Sequence, residues 1–262
     1  MSSERTQSDI AVPTLEDVAN MAGVSAATVS RCLNSPGVVT DRTRNRVMDA
    51  VRVLGYAPNF GARALAAKKT NTFGAIIPTM ENAIFARGLQ AFQEELGKHG
   101  ITLLVASSSY RPDLEEEQIR ALVARGADGL LLIGYDRTEE AYGILDRRQI
   151  PHVVAWAFDQ GQPRLSIGFD NRKAMKALAN EVLKLGHRSL GLITADRDEN
   201  DRARERAEGL FEAISAFGLT MQDVQVIETP YSIANGAQAF GDLMTSGRRP
   251  TAVLCGNDVL AA

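Results

Sequence analysis

Apolar residues are spaced in two different ways along the chain. Up to about residue 57 they recur every three or four positions, as helices require; after Thr70 they gather into short runs separated by amphipathic stretches. In the segment TLEDVANMA, Leu15, Val18, Ala19 and Ala22 fall on one helical face, with Thr14 at the N-cap and Asp17 three residues on. Gly23 ends this helix cheaply, because glycine tolerates a left-handed backbone. Ser25 caps a second helix over ATVSRCLN with Val29, Cys32 and Leu33 inward, and Asn34, Pro36 and Gly37 break it. Thr40 is expected to cap a third helix, with Val47, Ala50, Val51 and Leu54 on one face and Gly55 at its end. The alanine-rich, basic run NFGARALAAKK (59–69) reads as a short helix or a flexible connector, one that needs a partner to become ordered.

Beyond Thr70 the apolar runs 73–77, 101–106, 129–133, 152–156, 190–194, 224–227 and 252–255 predict strands. Helical stretches at 83–98, 114–125, 172–185, 202–217 and 233–245 lie between most of them. Two-sided apolar strands alternating with helices predict parallel α/β sheets, in which ligands sit beyond the carboxyl ends of the strands. The loops after Ile77, Ile133, Trp156, Thr194 and Cys255 are therefore the places to look for a site. The stretches 73–156 and 190–255 share one rhythm, which suits two similar α/β subdomains with a cleft between them. The chain stops at NDVLAA, where a further helix would begin, so we expect a truncated chain with an incomplete second subdomain. The pattern divides the sequence into 1–57, 58–70 and 71–262.

Composition narrows the class. With 262 residues, 45% hydrophobic and 23% charged, the chain is globular and long enough for a large core. Cys32 and Cys255 are far apart and in no ligand-like spacing, which excludes a disulfide framework and a cysteine zinc site and suits a reducing compartment. No apolar run approaches a membrane span, and the opening MSSERTQSDIAV lacks a signal core, so a cytoplasmic protein with no membrane partner is expected. The net charge of −3 hides an asymmetry: residues 1–70 hold nine basic and six acidic side chains, the remainder 20 and 26. A basic head on an acidic body hints at a head that meets phosphates.

Two short helices joined by a glycine-containing turn make a helix-turn-helix, whose second helix enters the major groove. In TLEDVANMAGVSAATVSRCLN, Ala19, Gly23 and Val24 would let the helices cross closely and Val29 would close the core. Ser25, Ala26, Ala27, Thr28, Ser30 and Arg31 are left facing outward, with Thr14 and Asn34 at the two ends of the unit completing the DNA-facing set. Arg31 is the one long side chain there and suits a bidentate grip on guanine. Ser25, Thr28 and Ser30 suit phosphates, and Ala26 and Ala27 offer apolar contact, for instance to a thymine methyl. A small helical bundle with no DNA role is the competing reading; the full string and a basic third helix (Arg42, Arg44, Arg46, Arg52) weigh against it.

This string, followed by VTDRTRNRVMDAVRVLGYAPN and ARALAAKKTNTFGAIIP, resembles the lactose-repressor/galactose-repressor (LacI/GalR) family of bacterial transcription regulators. The resemblance implies a three-helix DNA-binding head, a hinge helix, and a dimerising two-subdomain core similar to periplasmic sugar-binding proteins. It also implies a regulator, usually a repressor, bound to double-stranded operator DNA as a homodimer, with an affinity that a small ligand changes. The family's recognition-helix start falls on Ala26 and Ala27, its arginine on Arg31, and its hinge helix on 59–67, beginning at Asn59. Its minor-groove leucine falls on Leu65, flanked by Ala64 and Ala66; an apolar wedge parts a base step, and small neighbours let two hinge helices meet. Packing on the core is the other reading of Leu65.

In the body the resemblance assigns effector contacts to Phe85, Trp156, Asp170, Arg206, Tyr231, Asn257 and Asp258. Trp156 suits stacking on a sugar or base, or else core packing. Asp170 could instead cap the helix beginning at Asn171. Arg206 suits hydroxyls or a carboxylate, while Arg202 and Arg204 read as a solvated helix face. The family's last strands and helices are missing. A sugar, a sugar acid or a nucleoside would each fit, and no cofactor is implied.

Enzyme readings find little support. There is no phosphate loop of the GxxxxGK type, no well-placed GxGxxG and no GxSxG elbow. His99, His152 and His187 sit in separate elements, and Ser107–Ser109 has no base beside it. A plain sugar-binding module and a fragment unable to close its body are the alternatives, which DNA-binding and sedimentation measurements would separate.

Overall fold

The computed structural model describes residues 12–57 and 69–262, in two compact units, Met1–Thr70 and Asn71–Ala262. The proposed hinge positions Asn59, Ala64, Leu65 and Ala66 lie outside the described residues.

The first unit holds α1 (Leu15–Ala22), α2 (Ala26–Asn34), a 3-10 turn (Pro36–Val38) and α3 (Asp41–Leu54). Its boundaries follow local chemistry. The Asp17 carboxylate takes the Thr14 amide at 2.8 Å and its hydroxyl at 2.7 Å, while Thr14 Oγ1 accepts from the Asp17 amide at 3.3 Å, a reciprocal capping box. Ser25 Oγ accepts from the Thr28 amide at 3.2 Å and starts α2. Thr40 precedes α3 but does not cap it with its side chain; the hydroxyl donates to Thr43 Oγ1 at 3.1 Å instead. Gly23 also departs from expectation. Its φ is +60°, and a Cβ built there would meet nothing within 4 Å, so glycine is needed for the left-handed turn and not for a close helix crossing. Val18, Val29 and Val47 are fully buried at the centre, and Tyr56, just past α3, closes the core from a position outside the periodic pattern.

The second unit carries two parallel sheets. β1 (Thr72–Ile77), β2 (Thr102–Ser107), β3 (Gly129–Ile133), β4 (His152–Ala155) and β5 (Ser166–Ile167) pair in the order β2-β1-β3-β4-β5. β6 (Leu190–Thr194), β7 (Val224–Glu228) and β8 (Ala252–Cys255) pair as β7-β6-β8. The helices are α4 (Ala83–Lys98), α5 (Pro112–Ala124), α6 (Glu139–Arg148), α7 (Asn171–Lys184), α8 (Asp201–Ala216), α9 (Ile233–Thr245) and the single turn α10 (Asp258–Ala261). Most boundaries lie within two residues of the periodic pattern. α6 and β5 fall outside the predicted elements: β5 has two residues, too few to leave a period. β4 stops at Ala155, one residue before Trp156, whose φ of +59° leaves the strand region. β2 is an edge strand and half exposed, unlike the buried β3 and β6, so two-sided burial holds for the sheet interior only.

Each sheet is covered on both faces. Ile76, Ile119, Leu132 and Leu145 centre one side of the larger sheet, and Ala75, Ile77, Phe85 and Leu89 the other. Leu183, Leu192, Leu210 and Ile214 centre one side of the smaller sheet, and Ile193, Leu243 and Leu260 the other. α7 and α8 pack at Gly209, where a Cβ would overlap the Arg172 carbonyl. Among the described residues no helix is long and apolar enough to cross a membrane.

Candidate functional site

The first unit displays a polar face on α2. Thr14, Ser25, Ala27, Arg31 and Asn34 are exposed, and Ala26, Thr28 and Ser30 half-buried. Ala26 leans on the core of the unit, so Ala27 is the freer of the two alanines. Local bonds order this face: Ser25 Oγ and Thr28 Oγ1 are 3.0 Å apart, and Asn34 Nδ2 donates to Ser30 Oγ at 3.2 Å. The Arg31 guanidinium bonds to no described residue. By contrast Arg44 and Arg52 of α3 pair within their own helix, with Asp41 (2.8 Å) and Asp49 (3.2 Å). Among the described residues of α1 to α3, the arginines outside ion pairs are Arg31, Arg42 and Arg46.

In the second unit a cavity of about 310 Å³ opens between the carboxyl ends of the two sheets. Six of the seven expected effector contacts line it: Phe85, Trp156, Arg206, Tyr231, Asn257 and Asp258. Phe85 and Trp156 meet edge to face, with centroids 5.4 Å apart and planes at 70°. The indole lies against Gly88 of α4, where a Cβ would sit 2.5 Å from Trp156 Cη2. Arg206 Nη2 donates to Tyr231 Oη at 3.1 Å and Nη1 to Asn171 Oδ1 at 2.6 Å. Its Nε is buried without a hydrogen-bond partner, and no carboxylate among the described residues pairs with it. Tyr110 and Tyr231 stack obliquely at 5.5 Å; burial, reinforced by Tyr231, pushes the Tyr110 phenol well above its usual range and keeps it neutral. These two tyrosines and Asn200 also line an adjoining cavity of about 500 Å³.

Asp170 is not brought to the 310 Å³ cavity. It caps α7, accepting from the Lys173 amide at 2.9 Å, and lines a separate cavity of about 420 Å³. That backbone bond holds its carboxyl below the ordinary range. Asn82, Tyr110, Asn171 and Asn200 were not singled out in the sequence, yet they line the 310 Å³ cavity. A capping position marks two of them: like Asn257, Asn82 and Asn200 each cap a helix that begins at the carboxyl end of a sheet, with Asn82, Asn200 and Asn257 accepting from the Ile84, Ala203 and Leu260 amides at 2.9, 3.3 and 3.0 Å. Asn257 therefore has one acceptor site already engaged.

The reading of Arg202 and Arg204 as a solvated face is corrected. Arg202 is buried, its Nη1 2.9 Å from Asp201 Oδ1, and Asp201 Oδ2 accepts from the Tyr135 amide at 2.6 Å. Arg204 forks onto both oxygens of Asp136 at 2.8 and 2.7 Å. Gly134 (φ +73°) makes room for this junction: a Cβ there would overlap Arg202 Nη1 and Asp201 Oδ1. Beside it, Arg137 pairs with the buried Glu115 at 3.1 Å; burial raises the Glu115 pKa, and Arg137 opposes the rise. These bonds lock the start of α8 to the loop after β3. Periodicity could not show this, since an Arg-rich helix start looks alike in water and in a buried junction.

A helix-turn-helix joined to a two-sheet ligand-cavity body defines a DNA-binding protein of the ligand-regulated type. Residues 14–59 match the model for bacterial regulatory proteins of the lacI family, and residues 70–262 that for periplasmic binding proteins and the sugar binding domain of the LacI family. The chain belongs to the LacI family and is a DNA-binding transcriptional regulator. It is 34% identical to the HTH-type transcriptional regulator GntR of Pseudomonas aeruginosa over 95% of this chain and 72% of that one. It is 32% identical to catabolite control protein A of Staphylococcus aureus over 94% and 74%. Among solved structures it resembles a LacI-family transcriptional regulator from Silicibacter pomeroyi (TM-score 0.86, 30% identity, 95% of this chain and 75% of that one). It also resembles the lac repressor dimer bound to operator and the anti-inducer ONPF (TM-score 0.80, 25% identity, 95% and 75%).

Proposed function

We propose that this chain is a cytoplasmic repressor that binds a near-palindromic operator as a homodimer and is switched by a small polyhydroxylated effector, a sugar, sugar acid or nucleoside. Arg31, exposed and unpaired on a capped α2, is the observation that carries the DNA reading. In this reading Arg31 grips a guanine, Ala26 and Ala27 meet base edges, and Thr14, Ser25, Thr28, Ser30 and Asn34 order the backbone contacts. Asn59, Leu65 and Ala66 act from the hinge. The effector reading is supported by aromatic walls (Phe85, Trp156), a guanidinium with no carboxylate partner (Arg206), and Tyr231, Asn257 and Asp258 around one cavity. The chain acts by binding and not by catalysis: Arg206 and the cap asparagines suit hydroxyl recognition, and no nucleophile–base pair stands among them. Arg31→Ala is expected to cut the preference for operator over random DNA by about 5- to 150-fold, the worth of one bidentate base contact, without changing the melting curve. Titrations of both DNAs at one salt concentration check it, and an unchanged preference ends the assignment. A thermal-shift screen of sugars, sugar acids and nucleosides identifies the effector class, because a true ligand stabilises by mass action.

A further inference from the structure

We propose that Asn171 is a positioning residue that ties Arg206 to Trp156, so that a change at the guanidinium is transmitted to the indole. The inference deepens the effector reading above and depends on it for its biological meaning.

Trp156 is held where a bulky residue resists going. Its φ of +59° is a left-handed conformation that β-carbon sterics disfavour, and it persists only because its surroundings over-determine it. Its amide donates to the Ile167 carbonyl at 3.0 Å, and its own carbonyl accepts from Asn171 Nδ2 at 3.2 Å. Asn171, the first residue of α7, is 4% exposed. A guanidinium only donates, so the amide oxygen of Asn171 must face Arg206 Nη1 (2.6 Å) and the NH2 must face the carbonyls of Trp156 and, at 3.4 Å, Phe169. One planar amide thus serves both bonds, and neither can turn without the other.

Arg206 is poised to let go of it. Its described partners are the neutral oxygens of Asn171 and Tyr231. A carboxylate in the cavity would offer a charged acceptor in place of these neutral ones and compete for Nη1. Asn171 would then be free to turn, Trp156 would lose the donor on its carbonyl, and the left-handed backbone would relax toward the strand region. The indole, seated against Gly88 and Phe85, would move with it.

Trp156 is the only tryptophan, so the intrinsic fluorescence of the full chain reports on this one ring. The test is a cycle in ligand-free protein: acrylamide quenching and emission maximum of the wild type, Arg206→Met, Asn171→Ala and the double variant, with far-UV circular dichroism as the check on folding. Each single variant is expected to raise the quenching constant by about twofold with a red shift, and the double to go no further, because both act through one amide. Asn171→Asp keeps an acceptor for Arg206 but loses both donors. It is expected to behave like Asn171→Ala, and being isosteric it replaces that variant in the cycle should the alanine fail to fold. Wild-type quenching in Arg206→Met or Asn171→Asp, or additive effects in the double variant, overturns the proposal. Because no ligand is present, a failed cycle leaves the effector reading standing. A thermal-shift screen without a binder would remove that reading and leave the cycle untouched.

Discussion

The head and the body hold their functional groups in place by different means. In the head, caps and ion pairs link residues three apart: Thr14 with Asp17, Ser25 with Thr28, Asp41 with Arg44, Asp49 with Arg52. Its core is small, and the side chains offered to a partner stand on the outside of a helix. In the body, the groups that shape the cavity come from segments far apart in sequence: Asp136 with Arg204, Tyr135 with Asp201, Asn171 with Arg206. A surface built on local bonds is set once its helix forms, whereas a cavity built on distant bonds exists only when the whole body is packed. That difference suits a reader of DNA coupled to a sensor that must change shape.

The head's autonomy is most exposed at its buried centre. Val29→Asp places a carboxylate at a fully buried centre, at a cost of several kcal/mol in a unit too small to absorb it. Loss of the head's helical signal and of DNA binding is expected, with the body's thermal transition unchanged; joint melting of both would show that the head is not autonomous. The next effect contrasts two left-handed glycines. Gly134→Ala meets both an unfavourable φ and the buried Asp201–Arg202 pair, and should cost about 3 kcal/mol or more. Gly23→Ala meets only the unfavourable φ and should cost about 1 kcal/mol. Urea titrations of the two variants check the order, and equal losses would mean that the junction at Gly134 is looser than its geometry implies.

The smallest effect is a pH dependence of the head. Hydrogen bonds from the Thr14 amide and hydroxyl hold the Asp17 carboxyl below its ordinary pKa. A depressed folded-state pKa contributes stability that is complete above the unfolded value of about 3.9 and is lost as the pH falls through the folded value. The wild-type head should therefore lose melting temperature in acid more steeply than Asp17→Asn. Parallel melting curves for the two from neutral pH into acid would remove the capping box as a source of that stability.

Periodicity made the head legible almost residue by residue, since its caps and faces are local. Tyr56, the Thr40 hydroxyl that bonds Thr43 instead of capping, the open space around Gly23 and the inward lean of Ala26 escaped, because each is decided by what packs around it. In the body the strand–helix rhythm was equally plain, and the cavities are lined by loops at the strand ends. The chemistry of individual side chains was not. Asp170 and Asn171 are neighbours in sequence, yet one caps a helix beside a different cavity and the other holds both Arg206 and Trp156. Arg202, Arg204 and Arg206 lie on one basic stretch, yet Arg202 and Arg204 are locked in ion pairs, and of the two that line the 310 Å³ cavity, Arg202 and Arg206, only Arg206 does so without a carboxylate partner.

The amino-acid order alone thus determined most of the elements, their parallel pairing and much of the outward face of α2, because hydrophobic period, capping and turn chemistry act over a few residues. Packing decided which arginine keeps a free charge, which asparagine spans two segments and why Trp156 adopts a left-handed backbone. Those outcomes depend on groups brought together from distant parts of the chain, and charge and hydrogen-bond satisfaction in a buried place are properties of the assembled neighbourhood, not of any one residue.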